Sequence, residues 1–152
     1  MKKLVTITLL VLLTGCSNVK KHVSNSLDLN LDKCTVKNII THHEFHGDGE
    51  YFASISCEEE LELSKNWKKL PLTDNIREAA EMEICDDDNC GTIFKKYNIP
   101  KLEEGYYYFE DRHPDSKDKY DDKDLNNRSS YNYTLAFYDQ NNKKIYFFEF
   151  DT

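Results

Sequence analysis

The sequence predicts an α+β domain, built as an antiparallel sheet of about five strands with one or two short helices against one face. Three observations carry this expectation. Aromatic and β-branched residues fall in short runs, with 10 Tyr and 8 Phe in the 152 residues. Two of these runs, "YNYTLAFYD" and "KIYFFEFDT", flank Gln140-Asn141-Asn142-Lys143, and asparagine tolerates the positive φ of a tight hairpin turn at Asn141-Asn142. Stretches of helical character are few and short. The aromatic content also argues against disorder, although 32% of the residues are charged.

The chain opens on Lys2 and Lys3, then an apolar run from Leu4 to Leu13 and the sequence Leu13-Thr14-Gly15-Cys16. A run of ten residues falls well short of the roughly 20 that cross a bilayer as a helix. A basic start, a short apolar middle and a small-residue end form a secretory signal. Its last four residues resemble the bacterial lipobox, in which the cysteine is diacylated and becomes the first residue of the mature chain. The expected organisation is a signal peptide over 1–15, a lipidated Cys16 with a flexible tether over 16–33, and one globular domain over 34–152. Loss of Lys2 and Lys3 takes the formal charge from −8 to −10. Anionic lipid and nucleic acid repel such a chain, so apart from its lipid it is expected to stand off the membrane, and nucleic acid is not expected as a partner.

Within the domain, "CTVKNIIT" (34–41) and "EYFASISC" (50–57) read as strands joined at Gly47-Asp48-Gly49, a hairpin. "EEELELSKNW" (58–67) begins with acids that favour a helix N-terminus, and "TDNIREAAEM" (73–82) offers Thr73 or Asp74 as an N-cap; both are predicted helices. "GYYYFED" (105–111) is a strand. In the C-terminal pair, Tyr133, Leu135 and Phe137 share one face, as do Tyr146, Phe148 and Phe150.

The segments "THHEFHGDGEYF", "WKKLPLTDNI", "GYYYFEDRH" and "YNYTLAFYDQNNKKIYFFEFDT" together resemble a family of small uncharacterised lipoproteins of Gram-positive bacteria, over most of residues 35–152. In that family the first motif has two glycines after Thr-His; here His43 and Glu44 stand there, which makes the loop bulkier. The resemblance implies fold and location and brings no activity with it.

With Cys16 acylated, Cys34, Cys57, Cys85 and Cys90 remain, an even set with three pairings. Cys34 begins one strand of a hairpin and Cys57 ends the other, while Cys85 and Cys90 flank a tight acidic turn. The expected disulfides are therefore Cys34–Cys57 and Cys85–Cys90. A Cys₄ zinc site lacks its second short pair, and four free thiols are the remaining alternative.

In "HHEFHGDGE", His42, His46 and Asp48 are metal-ligand candidates. The segment is a strand running into a Gly-rich turn, without the helix that holds two imidazoles on one face, so a polar hairpin end is the preferred reading. "CDDDNCG" fits a calcium loop at Asp86, Asp88 and Gly91 but fails at Cys90 and Tyr97. The run 110–124 mixes acids with Arg112 and three lysines and reads as a solvated loop. Tyr106 to Phe109 offer a glycan-stacking set, of which alternation sends half inward. No nucleophile elbow or cofactor loop is present, and no cofactor is expected.

These residues favour a membrane-anchored, non-catalytic binding or interaction module outside the cytoplasm, its partner an envelope protein or glycan. A metal-dependent envelope enzyme using His42, His46 and Asp48 is one rival. A small inhibitor guarding the envelope is the other, by analogy alone.

Overall fold

A computed structural model describes residues 18–43, 48–85 and 90–152. The signal segment, Cys16, His46, Asp86 and Asp88 lie outside the described residues, as does the side chain of His43. Six antiparallel strands form one sheet in the order β1-β2-β8-β7-β6-β3: β1 Cys34–His43, β2 Gly49–Cys57, β3 Trp67–Lys69, β6 Tyr106–Asp111, β7 Asn132–Asp139 and β8 Lys144–Asp151. A two-residue hairpin, β4 Ile84–Cys85 with β5 Cys90–Gly91, stands apart. The helices are α1 (18–27), α2 Asp74–Glu81 and α3 Ile93–Lys96, with a 3₁₀ turn at Leu125–Asn127. The α+β class holds, with six strands rather than about five.

The helices cover both faces of the sheet, not one. On the first face Phe52, Tyr107, Phe109, Leu135, Phe137 and Phe148 pack with Ile76, Ala79, Ala80 and Ile93 of α2 and α3. On the other, Ala53, Ile55, Tyr108, Ala136, Ile145 and Phe147 pack with Val23 and Leu27 of α1. This explains why β7 is buried at seven of its eight positions, where a sheet open on one side would alternate. It also removes the glycan-stacking set: Tyr107, Tyr108 and Phe109 are each 2% exposed, buried on opposite faces.

The flexible tether expected over 16–33 is not what residues 18–33 form. Val19, Val23 and Leu27 recur every four residues, which stacks them on one side of a helix. Val23 and Leu27 are fully buried, and Leu29 and Leu31 follow them into the same core. Asp28 takes φ 51°, and the Leu29 N–H reaches the Ser24 carbonyl at 3.1 Å. That is a Schellman ending with aspartate in the left-handed position usually held by glycine.

Residues 58–66 form no helix where one is expected: a bend at 58–59 and a turn at 65–66 flank an irregular stretch over 60–64. In Glu60-Leu61-Glu62-Leu63 every second residue is apolar, the period of an extended strand. Leu61 and Leu63 pack on the α1-side core, and the Leu61 N–H donates to the Tyr138 hydroxyl at 3.2 Å. The helix expected at 73–82 forms over 74–81, with the Thr73 side chain accepting from the Ile76 N–H. The C-terminal hairpin closes through four residues, since Asp139 pairs with Lys144. The Asp139 carboxylate accepts from the Asn142 backbone at 3.0 Å and from its side chain at 2.7 Å. The positive φ falls on Lys143, not on Asn141 or Asn142.

Cys34 and Cys57 are cross-strand partners and are bonded, with Cα atoms 4.0 Å apart. Cys85 and Cys90 are likewise partners across the small hairpin, bonded at a Cα separation of 4.1 Å. Both pairs place their sulfurs where the hairpin reasoning expects them.

Candidate functional site

The histidine-rich hairpin lies where strand ends meet. His42 stands opposite Glu50, and Gly49, next to Asp48, pairs with both His43 and Asp151. Glu50 is turned into the protein, where its carboxylate meets Lys96 Nζ at 2.8 Å and the Tyr97 hydroxyl. The Lys96 and Glu50 side chains are 2% and 7% exposed. A buried ion pair of this kind ties α3 to the strand end, and its charge is committed to that bond. Among the described residues no three His, Cys, Asp or Glu side chains form a cluster able to hold a metal.

At the same end of the sheet, three residues have the composition of a hydrolase triad. Ser130 Oγ lies 3.3 Å from His113 Nε2, and Asp115 Oδ2 lies 3.8 Å from His113 Nδ1. A catalytic histidine must accept at Nε2 and donate from Nδ1. Here the Asp115 backbone N–H donates to Nδ1 at 3.2 Å, so in the neutral ring the proton sits on Nε2. The ring then donates to the serine instead of taking its proton. This arrangement orders the loop after β6 and does not activate Ser130.

The geometry that suits a ligand lies beside α2 and α3, where both helices meet the loops 70–72 and 99–102. A half-open cavity of about 430 Å³ is lined by Leu70, Leu72, Phe94, Ile99, Leu102 and Phe137. Local chemistry shapes it. Thr92 caps α3 by accepting from the Lys95 N–H at 3.4 Å, and Asn98 ends it at φ 52°. The Ile99 N–H returns to the Phe94 carbonyl at 2.9 Å, a second Schellman ending that folds Ile99 over Phe94. Pro100 follows where the helix cannot continue. On the opposite wall Leu70 is held through its N–H to the Gly105 carbonyl at 3.1 Å. Gly105 itself adopts φ 134°, and a Cβ there would lie 2.5 Å from the Tyr138 carbonyl oxygen, so only glycine lets the chain approach β7 this closely.

Arg77, Glu81 and Lys101 also line this cavity. Arg77 binds Asp74 at 2.6 Å on the exposed side of α2. Apolar walls with a few charged groups are the composition of a site that binds an apolar group and orients it by its polar end. Sequence reasoning did not find this site. The available signal was apolar residues in loops, in "LPL" (70–72) and "IPKL" (99–102), where burial is not otherwise needed. A second cleft on the α1 side holds Tyr108, Glu110 and Lys119. There Glu110 is occupied by the Tyr108 hydroxyl at 2.6 Å and by Lys119 at 2.9 Å, so its charges satisfy one another.

The chain matches no family model, no curated protein and no solved structure; the site's chemistry is therefore read from its own residues.

Proposed function

We propose that this chain is a lipid-anchored module on the extracytoplasmic face of a cell membrane that binds a partner through an apolar group and does not transform it. The cavity beside α2 and α3 carries this reading: at about 430 Å³ it suits one bulky apolar side chain or a small amphiphile. Among the described residues its walls bring no Ser, Thr, Cys or His, and Glu81 is the single carboxylate. Anchoring rests on the Leu13-Thr14-Gly15-Cys16 sequence after a short apolar run, and the family resemblance supports the same location. No described helix is long and apolar enough to span a bilayer; in this reading the attachment is the acyl chains on Cys16. Each buried CH₂ of those chains contributes about 0.8 kcal/mol.

Titration with 1-anilinonaphthalene-8-sulfonate, an apolar anion, tests the cavity. The expected result is saturable binding at one site, weakened at least about tenfold in Leu102→Trp, since the indole fills the cavity. Saturable binding that survives this substitution in a folded variant refutes the site. Detergent-phase partitioning of Cys16→Ala tests the anchor: a variant that still partitions and is processed like the parent refutes lipidation.

A further inference from the structure

We infer that α1 holds the free edge of β1 against the phospholipid headgroups and keeps the apolar cavity at the far side of the sheet, so that ligand arrives from outside the bilayer. The inference deepens the proposed function and rests on acylation of Cys16. Its origin is the distance between the anchor and the folded body. A flexible segment of about 17 residues has a mean reach near 23 Å and leaves the domain free to turn. The chain is instead already helical at residue 18, the first described, two residues past Cys16, a reach of about 7 Å when fully extended.

That helix does not pivot. Val23 and Leu27 are fully buried, and Lys20 Nζ donates to the carbonyls of Asp32 and Cys34 at 3.2 and 3.4 Å. Successive contacts show its course. Lys20 reaches Cys34 at the start of β1. His22 packs edge-on against Tyr51 of β2 and Phe147 of β8 and bonds Glu149 at 2.9 Å. Asn25 and Ser26 share a cleft with Thr134 of β7 and Tyr108 of β6. The helix therefore crosses the sheet from the β1 side inward, and its first described turn, the end nearest the anchor, reaches the start of β1 through Lys20.

That edge suits a headgroup surface. β1 is the outermost strand, with a register shift between Val36 and Asn38 that carries Lys37, a device that blocks pairing with another chain. Among the described residues, Ile39 on this strand is the large apolar side chain left exposed, at 39%. Lys37 is exposed on this strand, while Lys33 is paired with Glu59 at 2.6 Å; the short link to the lipid brings this edge to the headgroups although the chain as a whole is acidic. The cavity includes Phe137 of β7 and Leu70 beyond β3, on strands about 14 to 24 Å from β1 at roughly 4.8 Å per strand. It also lies on the face opposite α1.

The test uses the full acylated chain in phosphatidylcholine nanodiscs containing a headgroup spin-labelled lipid, with amide line broadening as the readout. Thr35, Lys37 and Ile39 are expected to broaden at least about tenfold more than Lys68, because the two edges lie about 24 Å apart. Inserting about fifteen Gly and Ser residues between Ser17 and Asn18 is expected to equalise the two edges. Equal broadening in the native chain, with its lipid confirmed by intact mass, overturns the orientation and leaves the anchor standing. A mature chain whose mass shows no lipid overturns the anchor and the orientation together.

Discussion

Replacing Leu27 by Ala separates a packed helix from a tether. Leu27 is fully buried and lies with Val23, Leu29, Ile55 and Phe147 in the core on the α1 side. Removing its branched end deletes three carbons from a site that other side chains enclose, and such changes cost about 2–5 kcal/mol. Against a domain stability of roughly 5–15 kcal/mol this is a large fraction. At this chain length about 3 kcal/mol lowers Tm by on the order of 10 °C. Asn25, exposed on the same helix, is the control: Asn25→Ala leaves the core intact and improves helix propensity by about 0.5 kcal/mol, raising Tm slightly. The assay is thermal unfolding followed by far-UV circular dichroism, with the disulfides intact. If both variants unfold within about 2 °C of the parent, on the scale where a tether substitution is neutral, then residues 18–31 contribute nothing to the core. The orientation argued from α1 falls with that result.

The two disulfides close loops of different length, with sequence separations of 23 and 5. Loop-closure entropy gives a loss of about 3.5 kcal/mol for the Cys34→Ala, Cys57→Ala pair and about 2 for Cys85→Ala, Cys90→Ala in urea unfolding; equal losses would contradict an entropic origin. Lys96→Ala leaves Glu50 charged in a site where its side chain is 7% exposed, and is expected to cost about 3–5 kcal/mol. Replacing both partners by apolar residues should recover most of that loss, so a double variant as unstable as the single one refutes the pair's role. Burial holds the Asp151 carboxyl above the ordinary range, with Glu149 and Asp48 adding to the effect and Arg112 opposing it. A carboxyl whose pKa is raised by folding stabilises the fold below its unfolded pKa and loses that contribution as pH rises through the folded value. Asp151→Asn is therefore expected to raise Tm relative to the parent at pH 7 and to lose the advantage near pH 3. A destabilised variant at pH 7 would mean that the 2.9 Å contact with Arg112 outweighs burial.

Strand positions were legible because alternation and β-branching are local properties. The segments read at 34–41, 50–57 and 105–111 all lie within or beside observed strands. The helix expected at 58–67 shows the limit of single cues: acids at its start favour a helix N-terminus, but the two-residue spacing of Leu61 and Leu63 matches the packing the segment adopts. The stripe of Val19, Val23 and Leu27 was equally visible. It is set among Asn18, Ser24, Asn25 and Ser26, residues that favour caps and turns over helix interiors, so local propensity gives no support. Burial against the sheet supplies what propensity lacks.

The sequence by itself determined five of the six strands of the main sheet, a helix starting at Thr73 or Asp74, and the two cysteine pairs, because each depends on neighbours in the chain or on one hairpin. Tertiary structure alone decided that the sheet has two covered faces, that Trp67–Lys69 joins its edge, and that loop residues 70–72 and 99–102 meet Phe137 around a cavity. It also decided that Ser130, His113 and Asp115 come together with the ring proton on the wrong nitrogen for catalysis. These features join segments dozens of residues apart. Contact across such distances is set by which surfaces exclude water together, and a linear pattern records that a residue is apolar without recording what will cover it.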